Sequence, residues 1–152
     1  MVQPFVTAKL NEVQLAAAER RLERFARAMD DHTPANREAS IAMLGYTYRN
    51  FDRQGALQGG WAPLAPSTIR QKQRIGKEQP LVRSGHMRAG FTSFYSRDNA
   101  GVGNEVSYSR FHHEGTSRMP QRLLLPTREN VLQIGLRVYG NYVSREARKA
   151  NG

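Results

Sequence analysis

The stretch at residues 59–91 sets the strongest limit on how this chain can fold. It holds the only tryptophan, Trp61, and three of the seven prolines, Pro63, Pro66 and Pro80. Each proline disfavours helix at the residue before it. Gly59, Gly60 and Gly76 add turn signals. Neither a long helix nor a long strand can run through such a piece. It reads as a turn, then a short helix over about 68–74 opened by Pro66 or Ser67 and closed by Gly76, then a second turn and a strand. The chain therefore divides into a helical half before it and a mixed half after it.

The helical half has two periodic segments. Over about 10–29, Leu15, Ala18, Leu22, Phe25 and Met29 recur at steps of three and four, which makes one apolar stripe. Arg20, Arg21, Arg24 and Arg27 flank it. A solvated helix face, with some pairing to Glu19 and Glu23, is the favoured reading of these arginines over direct phosphate contact. Thr33-Pro34 suits a helix start, with Thr as the cap and Pro in the first turn. A second helix runs from there to about Gln54, with Ile41, Leu44, Tyr48 and Phe51 on one face and Gly55 as its terminator. The two helices are expected to form an antiparallel hairpin that buries its stripes between them and against the mixed half. Residues 1–9 read as an arm, flexible or ordered only against a neighbour.

The mixed half begins with a turn at 81–85. Residues 87–97 have strand composition, 98–101 a turn, and 101–106 a second strand, together a β-hairpin. Residues 107–114 suit one or two helical turns closed by Gly115, and 122–125 a short strand. Thr127 can cap a final helix from Arg128 to about Lys149. Leu132, Ile134, Leu136 and Val138 also alternate as a strand would, but the cap and the basic end, Arg145, Arg148 and Lys149, favour helix. The expected fold is one α+β domain over 1–152: an N-terminal antiparallel helical hairpin, a small antiparallel β-sheet and a C-terminal helix.

At 152 residues the chain can bury a real core without staples. With no cysteine, disulfides and Cys-based zinc sites are excluded. The N-terminus lacks the pattern of a signal peptide, and no apolar run approaches the ~20 residues of a membrane span. Charge is the strongest bulk fact: 23 Lys and Arg stand against 13 Asp and Glu, net +10, with Arg far commoner than Lys. Arginine favours bidentate contact with carboxylate or phosphate. The partner this implies is nucleic acid or an acidic protein surface, unless the basic faces are merely solvated.

No set of residues forms a coherent catalytic centre. His112-His113-Glu114 is the most tempting cluster, but adjacent residues point about 100° apart on a helix and to opposite faces on a strand. A histidine that bonds a loop backbone is the favoured reading over a metal site. His86, Asp98, Asn99, Asn104 and His112 are scattered without a nuclease motif. Ser84 lies in a turn, not in a nucleophile elbow. Gly101-Val102-Gly103 lacks the third glycine of a dinucleotide site. No catalytic residue, metal or cofactor is expected. Trp61 reads equally as a partner anchor or as a core plug. Arg83 and Arg88 bracket a turn and face either a partner or solvent.

Three segments in order carry a resemblance. They are Gly60-Trp61-Ala62-Pro63-Leu64-Ala65-Pro66-Ser67-Thr68 with Lys72 just beyond, then Leu81-Val82-Arg83-Ser84-Gly85-His86-Met87-Arg88. The third runs from Val102-Gly103-Asn104 through Tyr108, His112 and Gly115 to Arg118-Met119-Pro120 and Leu123-Leu124-Leu125-Pro126. Together, over roughly 59–145, they resemble the virion morphogenesis, or tail completion, family of tailed bacteriophages of the Mu-like type. Glu114 stands where that family usually has an aromatic, and Leu124 where Phe is common. The resemblance implies a structural subunit of the neck or tail end, in the virion and, during assembly, in the host cytoplasm. It implies tail completion or termination and head–tail joining, by a homo-oligomeric ring, often a hexamer. The implied partners are the tail tube, the head–tail connector and non-specific DNA in a lumen, with no membrane. On that reading Trp61, Leu64, Leu81 and Phe91 are packing or interface anchors. Arg83, Arg88, Arg118 and Arg122 face a lumen or a partner. Two rivals stand beside it: a sequence-independent DNA-binding module with Arg-rich helices, and a nuclease-like enzyme using His112 and His113.

Overall fold

The computed structural model describes residues 12–151; the arm at 1–9 and the start of the first helix at Leu10 lie outside them. In order come α1 (Glu12–Asp30), α2 (Thr33–Asp52), a 3-10 turn (Ala56–Gln58), α3 (Pro66–Gln73), α4 (His86–Ala89), β1 (Phe91–Tyr95), β2 (Ala100–Asn104), α5 (Ser109–Glu114) and α6 (Arg128–Asn151). This is an α+β fold with one two-stranded antiparallel sheet and a C-terminal helix. In the sheet Phe91 pairs with Asn104 and Tyr95 with Ala100.

Helix α2 is the hub, packed on both strands and on α6. Its small residues explain the close approach. Ala39 and Met43 meet Ile134 and Val138 of α6, with Ala100 and Val102 of β2 alongside. Phe51, at its far end, joins Met87, Phe91 and Leu124 in a second cluster. Phe51 takes Trp61 and Phe91 edge-on, with ring centroids 5.3 and 5.7 Å away. The buried face is wider than the one expected: Phe51 is buried and Leu44 and Tyr48 pack against its cluster, as expected, but Ile41 does not join them. Ile41 is 53% exposed, while Asn36, Ser40, Thr47 and Asn50 are buried. Each of the four polar side chains has a bond that offsets its desolvation. Thr47 Oγ1 donates to Met43 O and Ser40 Oγ to Arg37 O, while Asn36 Nδ2 donates to Ser96 O and Arg97 O. Asn50 Nδ2 donates to Leu123 O.

The first helix has a different neighbour from the one expected. It lies against α6, not along α2. Tyr142 Oη donates to Ala28 O at 2.9 Å, and Arg24 Nη2 donates to Ala150 O at 2.8 Å. The mutual burial expected of the first two stripes therefore does not form. Thr33 is the first residue of α2 and does not cap it. Asp31 Oδ1 accepts from Thr33 N instead, and the Thr33 hydrogen bonds hold the Asp31 carboxyl below its usual range.

Two strand expectations are also corrected. Residues 87–89 form a helical turn that buries Met87, so the strand starts at Phe91. Residues 122–125 form no strand, because side chains take up their backbone groups. The C-terminal helix forms as favoured. Thr127 Oγ1 accepts from Asn130 N, and Asn130 Oδ1 accepts from Thr127 N. The alternating set splits by helical phase: Ile134 and Val138 face in, Leu132 and Leu136 face out.

The turn after α2 sets where Trp61 goes. Gln54 (φ +56°) and Gly55 (φ +80°) are both left-handed, and Gly55 N donates back to Asn50 O at 2.8 Å. A Cβ on Gly55 would sit 2.2 Å from Trp61 Cδ1. Adjacent residues should therefore respond in opposite directions. Gly55→Ala combines left-handed strain with overpacking and should cost about 2–4 kcal/mol. Gln54 Oε1 is buried without a hydrogen-bond partner among the described residues. Gln54→Gly removes that acceptor and the strain, and should stabilise by on the order of 1 kcal/mol. Urea denaturation of the two variants checks both signs.

Candidate functional site

A groove of about 850 Å³ opens on one side of the described residues. One wall is the extended piece at Pro63–Ala65 with Thr68 and Lys72 of α3. The second is Leu81 and the turn Arg83–Gly85. The third is Tyr108 and His112 by α5 with Arg118, Met119, Pro120 and Arg122. The prolines keep 62–65 extended up to the start of α3 and leave the Ala62 and Pro63 carbonyls free of a helical ladder, and Arg122 uses them. Its Nε and Nη2 donate to Ala62 O at 3.2 and 3.0 Å, and Nη2 also reaches Pro63 O at 3.2 Å. Arg122 is only 5% exposed. Burial pushes its pKa down, and no carboxylate pairs with it among the described residues.

Four cations line this groove, Lys72, Arg83, Arg118 and Arg122, and no carboxylate among the described residues does. Lys72 Nζ donates to Gln79 O at 2.5 Å and Val82 O at 2.7 Å, which pins the 79–82 loop to α3. Burial, then the charges of Arg83 and Lys77, push the Lys72 pKa down. Leu81 adopts φ +60°, an uncommon conformation for a residue with a Cβ. It packs on the Phe51 cluster while lining the groove.

The two adjacent histidines have separate roles. His113 Nδ1 accepts from Leu124 N at 3.0 Å, so it is neutral there and fixes the buried 122–125 segment. His112 lines the groove with Nδ1 buried and without a hydrogen-bond partner among the described residues. Among the described residues no group of three or more His, Cys, Asp or Glu could hold a metal ion.

The anchors and arginines singled out in the sequence fall in three places. Phe91 is in the core, with Trp61 packed against the same cluster, and Trp61 Nε1 donates to Leu123 O at 2.9 Å. Leu64, Leu81, Arg83, Arg118 and Arg122 converge on the groove. Arg88 lies apart: it forks onto Asp52 at 2.7 and 2.9 Å and sits 5.0 Å from the Tyr48 ring centre. Sequence reasoning missed Met87, Met119 and Tyr108 as groove residues. They come from three separate segments, and no periodicity links them.

A second surface is open as well. No residue of α1 is buried, and Leu15 and Leu22 of its apolar stripe are 49% and 69% exposed. Leu132, Leu136 and Val143 of α6 are exposed too. Of the α1 arginines, Arg27 pairs with Glu23 at 3.3 Å and Arg24 holds Ala150 O.

The sequence model of the phage virion morphogenesis family matches residues 13–145. The chain belongs to that family. Comparison with curated proteins and with solved structures gave no match. Membership in the phage virion morphogenesis family gives the chain a structural role in the phage virion. No helix among the described residues is long and apolar enough to cross a membrane.

The histidine pair makes stability depend on pH. Burial depresses both His112 and His113 below the ordinary 6.5, with Arg122 adding to the effect on His112. The unfolded chain thus takes up these protons first as pH falls. Their contribution is complete above about pH 6.5 and is lost progressively below it, by up to about 1.4 kcal/mol per pH unit for each group. Asp31 and Asp52 are depressed below 3.8 and act at lower pH. Denaturation midpoints should fall from pH 7 to pH 5. His113→Asn, whose Oδ1 can take the Leu124 amide, should flatten that fall.

Proposed function

We propose that the chain is a ring-forming subunit of the virion neck or tail end, acting in tail completion or termination and head–tail joining. The observation that carries the reading is α1. Its stripe recurs at steps of three and four, the spacing of a helix–helix seam, yet its packing on α6 leaves Leu15 and Leu22 exposed and no residue of the helix fully buried. The occupant that fits is a second copy. Glu12, Glu19, Glu23 and Asp30 balance Arg20, Arg21, Arg24 and Arg27, so α1 is neutral in a chain of net charge +10. It is where two such chains can meet without net repulsion. Family membership supports the virion setting. The outward edges of a two-stranded sheet offer further pairing groups.

Mass photometry of the purified chain tests the association. A discrete oligomer is expected, with Leu22→Asp shifting it to the monomer at unchanged circular dichroism, because Leu22 is an exposed residue of the single subunit. Imaging of particles assembled without the protein tests the stage, and separate heads and tails are expected. A chain that stays monomeric on its own and on tail tubes would overturn the ring. A monomer whose affinity for duplex DNA falls steeply with salt would favour the DNA-binding module instead.

A further inference from the structure

We infer that the groove between α3, the 81–85 turn and α5 is a docking site for an acidic, apolar segment of another virion protein. The groove is one-signed. Lys72, Arg83, Arg118 and Arg122 line it without a carboxylate among the described residues. Two of these cations have their charge to spare: the side chains of Arg83 and Arg118 make no hydrogen bond or ion pair among the described residues. Arg122 is buried, and its Nη1 makes no hydrogen bond among the described residues, while Nε and Nη2 are fixed on the 62–63 carbonyls. A buried guanidinium with a free donor edge on a cavity is ready for a carboxylate, which it would hold in a fixed plane.

The apolar lining decides which kind of anion. Leu64, Leu81, Met87 and Met119 contribute to the walls together with Pro63 and Pro120. Methionine and leucine walls suit aliphatic or aromatic side chains. A duplex presents only phosphates and sugars along its backbone and is too wide for a cavity of about 850 Å³. The chain's own segments fit poorly: residues 1–11 carry Lys9 and no acid, and 145–152 carry three cations and one acid. Charge therefore points to a different chain, one whose short extended or helical segment alternates carboxylates with apolar anchors. The strained Leu81 and the Lys72 clamp on the 79–82 loop keep one wall in place before the segment arrives. The α1 surface is separate, so this site does not depend on ring formation.

A photo-crosslinking residue in place of Met119 tests the proposal inside infectious particles. The expected adduct, sequenced by mass spectrometry, is one segment of another virion protein, with at least two carboxylates beside an apolar anchor. The synthetic peptide of that segment should bind the purified full chain, more weakly as salt rises. Arg83→Glu with Arg118→Glu should weaken it by about tenfold or more while leaving the melting temperature unchanged, since both side chains are free. Adducts to DNA, to a second copy or to residues 1–11 would overturn the proposal. So would the absence of an adduct, or binding indifferent to the charge reversal. Loss of the oligomer in Leu22→Asp with peptide binding retained would overturn nothing here, which separates this site from the ring.

Discussion

One carbonyl organises the middle of this protein. Leu123 O accepts from Asn50 Nδ2 at 3.1 Å and from Trp61 Nε1 at 2.9 Å. The segment that carries it, residues 122–125, runs through the interior without a strand partner. Its neighbours are satisfied in the same way. Gln58 Nε2 donates to Leu125 O, His113 Nδ1 accepts from Leu124 N, and Arg122 N donates to His112 O. Buried backbone groups must be paired somewhere. Here side chains of α2, the 3-10 turn, Trp61 and α5 supply the partners that a sheet would otherwise supply. Asn50 Oδ1 is left buried without a partner among the described residues. That is a cost of about 1–3 kcal/mol, accepted where the amide's two donors bridge Leu123 O and Gln58 Oε1.

The groove is a consequence of this arrangement. Leu124, 1% exposed, locks the segment into the Phe51 cluster. With Leu124 pointing into the core, Arg122 lies against the proline-rich piece and holds its carbonyls. The same prolines that forbid a helix there thus leave acceptors for a buried arginine. Trp61 closes the arrangement by stacking over Gly55, a position where any side chain would collide with its ring. Core, loop and groove wall are therefore one hydrogen-bonded unit, and a change at Gly55 or Asn50 reaches the groove through it.

Much of this was legible in the sequence, and the failures have physical causes. Period and caps gave α6 correctly, because Thr127 and the basic end outweighed an alternation that a helix also produces by chance. Turn residues placed the β-hairpin. The face of α2 was legible only in part: Leu44, Tyr48 and Phe51 pack inward, but apolar period is blind to polar residues that bury with their own bonds, as Asn36, Thr47 and Asn50 do. The strand expected at 122–125 failed for the same reason. An apolar run implies burial but does not say who satisfies the backbone. The arginines could be named as candidates, but only the fold separates Arg88, spent on Asp52, from Arg83 and Arg118.

Charge distribution distinguishes the two open surfaces. Acids and bases cancel on α1, four against four, so the whole excess of +10 lies elsewhere in the chain. Part of it gathers at the groove, where no described carboxylate offsets it. Identical chains brought together through their basic faces would repel, and the repulsion would grow with each subunit added. A neutral apolar seam avoids that cost and leaves the basic faces outward. On the proposed ring, the positive charge would be carried to components other than the ring itself, and the exposed part of α1 and the groove lined by no described carboxylate would then serve different contacts.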